Sequence, residues 1–500
     1  MLNPNDMLYD RDMLSILLGS FFIILCSYWW YSKRRYKLPP GPWGVPFIGY
    51  FPFLGDEPFK TLLKLTEKYG SVYSINFNGS YTIILNDFES VREAFNNPAV
   101  SDRPPNLFDF HPDGLGFTGY SGPEWMEQRR YTLKVLRDIE REKIPWESNL
   151  EAEVEDLIRF LEEKGGQPTD MRDPISVSVS SNITSIILGK RLPKGDPRRT
   201  IVDNGVKAVM RTFSQLTLVT FFPRFMQFVA RLGLSSFAEE FQKMLSFNKL
   251  IRTEIKCRKE IPSAEQNEEI FIDGYLQEMQ KLEEKGVKTY FNEKNLVSTA
   301  QTLVIGGSDP TRAILEWLFL AMSYYPEIQK KIHKEIDDVM GKDGRLNWTQ
   351  RMQVPYTYAS TLEVLRWKTI APLGAPHRVS EDTTIGGYHI PKGTDVMSNI
   401  YALHNDSKYW EDPEIFKPER FLHKDGSTIM RRLDSYAPFS IGRRICPGEM
   451  ITMMEIFHYF TAVLQKFDIR PAENASVILE GMSGATYQAV PQKLRFISRN

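Results

Sequence analysis

The sequence is poor in cysteine and nearly free of net charge. Its 500 residues include three cysteines, too few and too scattered for a disulfide framework or a four-thiolate zinc site. The 62 basic and 63 acidic side chains almost cancel, so no overall electrostatic field would draw the protein to a nucleic acid. These absences argue against a disulfide-rich secreted scaffold and a nucleic-acid partner, and they favour a reducing compartment for the main body.

Charge is also missing from residues 13–31, a run long enough to cross a bilayer core of about 30 Å as a helix. Aromatic side chains suited to the membrane interface end the run, basic residues follow it and acidic residues precede it. A cleaved signal peptide would have a basic front and a small-residue cleavage site, and a mitochondrial presequence would be rich in arginine. We therefore predict a lumenal segment at residues 1–12, a transmembrane anchor at residues 13–31 and a cytosolic main body.

The remaining chain reads as a linker and one large domain. Residues 32–50 are basic and then rich in proline, which cannot continue a helix because it lacks an amide donor. Within residues 51–500, Ser71 to Leu85 surrounds Asn78-Gly79 with β-branched and aromatic residues, which predicts a hairpin. From about residue 86 onward, apolar residues recur mostly at helical spacing. The expected fold class is mainly α with small β-sheets, preceded by one transmembrane helix.

Among the cysteines, Cys446 has surroundings that indicate chemistry. It lies in the run FSIGRRICPG, residues 439–448, just before apolar residues at helical spacing. The glycines and the proline favour a tight loop, so the sulfur would project at the start of a helix, whose dipole and backbone amides favour a thiolate. Arg444 adds a fixed positive charge nearby. Cys257, in contrast, reads as an ordinary small hydrophobe of the interior.

Residues 439–448 resemble the haem loop of cytochromes P450, Phe-x-x-Gly-x-Arg-x-Cys-x-Gly, with every fixed position filled. The resemblance implies the cytochrome P450 fold, with haem b (iron protoporphyrin IX) as the cofactor and Cys446 as the axial thiolate to its iron. It also implies that Arg444 pairs with a haem propionate, which suits a planar guanidinium that is always charged.

Further segments resemble the same family. Glu363 and Arg366 match the Glu-x-x-Arg of the family's K helix, and residues i and i+3 share a helix face, so the two charges can meet. Arg420, in the run PERF, matches the residue that completes a three-member charge cluster with that pair. The implied role of this cluster is structural, because it holds the core around the haem loop.

Other matches concern the haem propionates. Trp125 and Arg129 are similar to the Trp-x-x-x-Arg of the family's C helix, an i, i+4 pair that reaches one propionate. His377 and Arg103 fall where animal microsomal members place other propionate contacts. For His377 the alternative is a satisfied surface histidine, and the surrounding strings APLGAPHR and GGYHIPKG favour the haem. These strings and PPGPWGVPFIG most resemble the animal microsomal branch, which oxidises lipids, steroids and xenobiotics.

One segment departs from the family pattern. Asn292 to Tyr325 reads as the long helix over the distal face of the haem, where the family has Ala/Gly-Gly-x-Asp/Glu-Thr-Thr/Ser. This chain has GGSDPT, so Pro310 replaces the threonine whose hydroxyl ordinarily helps deliver protons to dioxygen. The candidate catalytic residues are Asp309, which remains as the acid, Pro310 and Thr311. Thr311 lies about 100° further round the helix and is expected to face away from the oxygen site. Pro310 is either a tolerated kink in a helix already bent by its glycines or a functional residue that frees carbonyls near the oxygen site.

Family position also predicts an apolar substrate pocket. Its candidate members precede the C helix or lie in the central region, the long helix and the later loops: Phe108, Phe110, Phe213, Phe221, Phe222, Val304, Gly307, Leu373 and Met482. On the opposite face, Arg130, Lys134 and Arg443 form a candidate basic patch for an acidic reductase, although exposed basic residues usually serve only solvation.

The leading hypothesis is a monooxygenase of the endoplasmic reticulum membrane that inserts one oxygen atom from O2 into an apolar small molecule. The resemblance implies NADPH-derived electrons from NADPH-cytochrome P450 reductase, with cytochrome b5 as a second candidate partner. Pro310 keeps two other reactions open, because plant aldoxime-forming members, which N-hydroxylate amino acids, have Asn-Pro here, and family isomerases and dehydratases lose the threonine. A non-catalytic haem-binding protein is a third hypothesis, which the retained thiolate loop and Asp309 disfavour.

Overall fold

The structure, a computed structural model, describes most of the chain from Pro39 onward. The described residues are 39–45, 48–77, 80–105, 107–141, 146–214, 223–233, 237–262, 265–267, 269–341, 344–426 and 433–499, with four isolated positions between 16 and 27. The predicted lumenal segment, the predicted anchor apart from those positions, the Asn78-Gly79 turn, Phe221 and Phe222 lie outside them. Among the helices that the structure does describe, none is long and apolar enough to cross a membrane.

Helices make up most of the described chain, as the apolar spacing predicts. Val154, Leu157, Ile158 and Leu161, for example, line the buried face of one helix. The α-helices are α1 (Pro58–Lys64), α2 (Thr66–Tyr69), α3 (Phe88–Asn96), α4 (Gly116–Gly119), α5 (Gly122–Glu140), α6 (Glu147–Lys164), α7 (Arg172–Leu188), α8 (Pro197–Ser214), α9 (Pro223–Arg231), α10 (Phe237–Lys259), α11 (Phe271–Glu284), α12 (Glu293–Tyr324), α13 (Pro326–Met340), α14 (Pro355–Lys368), α15 (Ile400–His404) and α16 (Glu449–Lys466).

Short strands form small sheets between the helices. They are β1 (Val72–Phe77), β2 (Ser80–Leu85), β3 (His377–Arg378), β4 (Thr383–Ile385), β5 (Tyr388–Ile390), β6 (Asp395–Ser398), β7 (Phe467–Pro471), β8 (Gly481–Met482), β9 (Gln488–Ala489) and β10 (Leu494–Ser498). The largest sheet has the order β1-β2-β6-β3. Its first two strands pair antiparallel, so the predicted hairpin is confirmed. Parallel pairing of β2 with β6 then brings β3, which carries His377, to the same sheet.

The long helix α12 forms the centre of the helical core. It begins after Asn292, whose side chain accepts a 2.9 Å hydrogen bond from the amide of Asn295, and it ends before Tyr325, as predicted. Residues on nearly every side of it are buried, among them Ile314, Leu318 and Met322. Because α4, α7 and α16 all pack against it, α12 fixes the relative positions of these three helices, including the start of α16 that follows Cys446.

The proline-rich segment packs on the main body. The Ser74 amide and hydroxyl donate to the carbonyls of Pro40 and Pro39, at 2.8 and 2.7 Å. A Cβ added at Gly41 would lie 1.6 Å from the Ser74 carbonyl oxygen, so no larger residue fits against β1 at this position. The chain is therefore held to the body by Pro39, ahead of the expected linker boundary at residue 50.

The predicted charge cluster is present as a buried ion-pair network. Glu363 and Arg366, both in α14, form two 2.7 Å contacts, and their side chains are fully buried. Arg420 donates to the same carboxylate at 3.3 Å. Arg366 also donates to the carbonyls of His404 and Pro413, so its charge is hydrogen-bonded on several sides. This network joins α14 to the loops that lead toward the Cys446 segment.

Cys257 differs from the sequence-based expectation. The prediction of a buried small hydrophobe is wrong, because the residue is exposed. It lies in the last turns of α10 among basic residues, on the side of the helix that faces solvent.

Candidate active site

The Cys446 loop is closed by contact with α3. A 3-10 helix, Gly442–Arg444, leads into it, and the Cys446 amide donates to the Phe439 carbonyl at 2.9 Å. Gly442 has a φ of +76°, and a Cβ there would lie 2.1 Å from the Phe95 carbonyl oxygen. Only glycine satisfies both conditions. The loop thereby sets the sulfur immediately before α16.

The environment of Cys446 favours a thiolate only in part. Burial raises the pKa of its thiol to about 11, whereas the backbone amides of Gly448 and Glu449 and the charge of Arg129 act in the opposite direction. The amides belong to the start of α16, as the sequence predicts. A metal cation at the sulfur deprotonates such a thiol outright, so this position suits a metal ligand better than a free nucleophile.

Three arginines meet beside this loop. Arg444 donates to the carbonyls of Ser101 and Phe117, at 2.8 and 3.1 Å, and to that of Tyr120. Arg103 donates to the carbonyls of Thr118, Ala375 and Pro376, and Arg129 donates to that of Ile445. All three residues are buried, with exposed fractions of 7%, 7% and 9% for Arg444, Arg103 and Arg129.

This arginine cluster, Arg103, Arg129 and Arg444, carries uncompensated positive charge. In the described part of the chain, none of its members forms an ion pair with a carboxylate. Burial and the neighbouring like charges lower the pKa of Arg444 and of Arg103, and burial lowers the pKa of Arg129. Neutral carbonyls cannot cancel buried charge, so the cluster has the composition of an anion-binding site.

Trp125 adds a donor without a partner. Its side chain is buried, its ring lies 3.8 Å from the guanidinium carbon of Arg444, and its indole Nε1 has no hydrogen-bond partner among the described residues. An indole N–H can only donate, and buried donors are nearly always satisfied. An acceptor beside the arginine cluster is therefore missing.

His377 lies on the sheet side of the same cluster. Its ring stacks on Phe95 with a centroid distance of 3.9 Å, and Nδ1 lies 2.7 Å from the Val100 carbonyl. Because a carbonyl only accepts, the ring proton belongs on Nδ1. Burial and the charges of Arg103 and Arg444 hold the pKa of His377 well below 6.5. The histidine is thus buried with the cluster, and the alternative of a surface histidine does not hold.

On the distal helix, Asp309 is fully engaged. It forms a 2.7 Å ion pair with Arg312 and accepts a 2.6 Å hydrogen bond from the Thr486 hydroxyl. Gln488 lies within 3.5 Å of both carboxylate oxygens. The sequence analysis did not identify Arg312, Thr486 or Gln488. Arg312 left a signal, since it is a charge three residues from Asp309 in an apolar helix, whereas the other two lie in a distant hairpin.

Pro310 separates two polar networks. Thr311, the next residue, donates to the Gly307 carbonyl at 2.6 Å and also neighbours the carboxyl group of Glu455 in α16. Burial raises the pKa of Glu455 well above 4.5, and Asn182 donates to it at 2.6 Å. Proline supplies no amide to the Gly306 carbonyl four residues back. The usual amide donor to the Gly306 carbonyl is therefore absent at the position between Asp309 and Thr311.

Part of the predicted pocket comes together. Phe108, Phe110 and Phe213 form an aromatic cluster with centroid distances of 5.9–6.4 Å. Val304 is buried and Leu373 is half-buried, whereas Met482 is 44% exposed. Gly307 faces α7, because a Cβ there would lie 3.0 Å from the Ile183 side chain, so its orientation supports helix packing instead of pocket lining.

The candidate basic patch is exposed. Arg130 and Lys134 lie on the outer face of α5, and Arg443 lies beside them with its guanidinium carbon 5.9 Å from the Trp125 ring centre. Within the described residues, none of the three forms an ion pair. Their charges are therefore available to an acidic partner on this face.

Comparison with known proteins identifies the family. The family model named Cytochrome P450 matches residues 39–496. The chain belongs to the cytochrome P450 family. It is 32% identical to cytochrome P450 2J2 of Homo sapiens over 497 residues, covering 96% of this chain and 95% of that protein. Cytochrome P450 2U1 of Rattus norvegicus is 32% identical over 95% of this chain and 94% of its own length, and cytochrome P450 18a1 of Drosophila melanogaster is 30% identical over 95% and 90%.

The comparisons confirm a cytochrome P450 monooxygenase whose relatives are animal proteins, as the resemblance implies. The family implies haem, and the residues of this site fit it. Haem b carries two carboxylates, to which the unpaired arginine cluster and the unpartnered Trp125 indole would donate hydrogen bonds, and Cys446 would provide a sulfur ligand for iron.

The Trp125 indole tests this fit. Trp125→Phe keeps an aromatic ring beside Arg444 and removes the unpartnered donor, together with part of the ring system that the Trp367→Phe control also loses. A hydrogen bond to a charged group contributes about 1.5–3 kcal/mol, so haem transfer to a scavenger apoprotein should become about tenfold faster or more. Trp367→Phe is the matched control, because that indole donates to the Glu414 carbonyl elsewhere. Equal rates of haem loss for wild type and Trp125→Phe would contradict the assignment.

Proposed function

We propose that this cytochrome P450 binds haem b through Cys446 and inserts one oxygen atom from O2 into an apolar small molecule. Arg103, Arg129 and Arg444, with Trp125, would donate to the propionates. The negative charge of a propionate would raise the lowered pKa of His377, so that its Nε2 would then carry a proton and donate as well. The observation that carries the proposal is the buried arginine cluster with only carbonyl partners beside a cysteine at the start of α16. The balanced reaction is RH + O2 + NADPH + H⁺ → ROH + H2O + NADP⁺, in which the bound haem supplies the oxygen chemistry.

The proposed electron donor is NADPH-cytochrome P450 reductase. Arg130, Lys134 and Arg443 form an exposed basic face close to Trp125 and the Cys446 loop, which would receive an acidic protein electrostatically. Cytochrome b5, also acidic, is the second candidate for the same face. Docking on this basic face would give a short distance for electron transfer to the haem, because the Cys446 loop reaches the surface at Arg443 and Ile445.

An apolar substrate is favoured by the aromatic cluster of Phe108, Phe110 and Phe213. Aromatic side chains bind apolar ligands such as lipids, steroids or xenobiotics chiefly by burying their surface, and a few polar groups fix the orientation of the ligand. Next to Phe213, the Ser214 hydroxyl accepts a 2.9 Å hydrogen bond from the Ala485 amide. The turn between β8 and β9 is therefore held against the end of α8. We therefore propose that the substrate is a lipid, a steroid or a xenobiotic.

Protons would reach the site without the usual threonine. Asp309 provides the acidic group. The Gly306 carbonyl, which receives no amide from Pro310, would accept a hydrogen bond from a bound water. In this arrangement the carboxylate of Asp309 takes up and releases the proton, and the Gly306 carbonyl positions the water. Thr311 takes no part, because its hydroxyl donates to Gly307 and faces Glu455.

Pro310 also supports a second candidate function. Aldoxime-forming N-hydroxylases, isomerases and dehydratases of this family lack the same threonine, so the reaction could be one of these. A non-catalytic haem-binding protein is less well supported, because the fully engaged Asp309 and the exposed basic face would then have no use.

Turnover with and without NADPH separates these functions. With reductase present, product formation should require NADPH, and Asp309→Asn should lower it at least about tenfold while peroxide rises, because proton delivery fails. Pro310→Thr should leave activity equal or lower, since a straightened helix displaces the water. Restored coupling in Pro310→Thr would make the proline a tolerated defect. Substrate conversion without NADPH and reductase, with Asp309→Asn silent, would establish an isomerase or dehydratase instead.

We also propose the endoplasmic reticulum membrane as the location, with residues 13–31 as a single-pass anchor and the catalytic domain, residues 51–500, on the cytoplasmic side. The uncharged run and the basic residues after it support this topology. The packing of Pro39 and Pro40 on β1 leaves only residues 32–38 as a spacer between anchor and body. The active site would therefore lie near the membrane, where apolar substrates concentrate.

Removal of residues 1–31 tests the anchor. The truncated protein should fold, bind haem and leave membranes in high salt, because only peripheral contact would remain. The full-length protein, as the control, should resist both salt and carbonate. A truncated form that resists both treatments would show that residues 13–31 are not the principal anchor.

A further inference from the structure

We infer that Glu316 is a positioning residue that controls how readily Asp309 takes up and passes on a proton, because both carboxylates compete for the guanidinium of Arg312. The inference rests on the proposed role of Asp309 in proton delivery. It assigns a function to two charged residues, Arg312 and Glu316, in the otherwise apolar second half of α12.

The three side chains form a continuous buried chain along one face of α12. Arg312 Nη2 lies 2.7 Å from Asp309 Oδ1, and Arg312 Nη1 lies 2.5 Å from Glu316 Oε1. The exposed fractions of the three side chains are only 5–7%. The spacing of three and four residues places all three on one face, so a single guanidinium is shared between two acids.

The two ends of the chain are not equivalent. Asp309 has the Thr486 hydroxyl and the Gln488 amide as further partners, whereas Glu316 Oε2 has no hydrogen-bond partner among the described residues. A carboxyl group with fewer donors holds a proton more readily. Burial is the largest effect and raises the pKa of Glu316 to about 7, whereas the positive charge of Arg312 acts to lower it. Glu316 is thus placed to change its charge near neutral pH.

Glu316 also lines a cleft, although its Oε2 atom is itself buried. A small cleft adjoins it between the start of α7 and the segment before β10, lined in part by Thr169, Asp170, Arg172 and Gln492. The charged groups that face Glu316 are Arg312 and Asp309 from α12 and Arg172 from α7, and Arg172 is itself paired with Asp170. We infer that solvent in this cleft exchanges protons with Glu316.

Protonation of Glu316 changes the charge beside Asp309. With Glu316 neutral, Arg312 and Asp309 form a neutral pair, and the guanidinium is committed to Asp309. With Glu316 ionised, the three groups sum to one negative charge and the guanidinium is shared. A nearby negative charge favours protonation of a carboxyl group, so Asp309 then accepts and passes a proton more easily. Coupling of NADPH use to product should therefore rise as pH rises through about 7.

Glu316→Gln fixes the neutral state and tests this inference. Product formed per NADPH, with peroxide measured alongside, should be about threefold to tenfold lower than wild type at pH 8 and nearly equal at pH 6. Glu316→Asp, which keeps an ionisable group, should restore the rise with pH. Glu327→Gln, an exposed glutamate of α13, is the matched control and should follow the wild-type profile. The haem content and reduced carbonyl spectrum of every variant confirm that the site is assembled.

A double substitution shows whether the effect passes through Asp309. In an Asp309→Asn background, Glu316→Gln should cause no further loss of coupling, because the group that it controls is absent. Additive losses in the double variant, or a Glu316→Gln profile that matches wild type at every pH, would overturn the inference. A wild-type enzyme that forms no product with NADPH and reductase would instead overturn the proposed function.

Unfolding provides a measurement that needs no turnover. Because the folded pKa of Glu316, about 7, lies above the ordinary value of 4.5, wild type should lose stability relative to Glu316→Gln as pH rises from 4.5 through 7. The difference in melting temperature between the two proteins should change across that window and be flat below it. A flat difference throughout would show that Glu316 does not titrate there, and the inference would fail whatever the reaction is.

Discussion

Three buried arginines without a carboxylate partner are the constraint on which the rest of the active site depends. Arg103, Arg129 and Arg444 come from segments far apart in sequence, and each is held only by backbone carbonyls. Folding brings their like charges together at a cost that a bound dianion offsets. We therefore expect haem binding to be coupled to the folding of this region. The same ligand would contact the Cys446 loop, the start of α5 and strand β3.

The distal helix distributes its polar groups around Pro310. On one side Asp309 is joined to Arg312, Glu316 and the Thr486 hairpin, and on the other Thr311 lies against Glu455. The proline between them removes one backbone donor from the helix. In the proposed mechanism, a carbonyl without its amide donor and the carboxyl group of Asp309 take over the role of the missing threonine hydroxyl.

Local sequence patterns predicted much of this structure. The bounds of α12 follow from apolar spacing within a few residues, and the β1-β2 hairpin follows from its turn residues. The Glu363-Arg366 pair follows from the resemblance to the family together with its i, i+3 spacing. The contact of Thr486 with Asp309 could not be predicted, because it joins residues 177 positions apart through tertiary packing. Gly307 shows another limit: its motif position indicates the pocket, but the phase of α12 turns it toward Ile183. Exposure of Cys257 depends in the same way on which face of α10 meets the core.

The central claim is that Cys446 is the axial ligand of a haem held by the arginine cluster. Its most direct test is the absorption spectrum of the reduced carbon monoxide complex of Cys446→Ser beside wild type, with Cys257→Ser as the control. Wild type and the control should show the thiolate-specific band, and Cys446→Ser should lack it, because an alcohol is a poor donor to iron. An unchanged spectrum in haem-loaded Cys446→Ser would contradict the account.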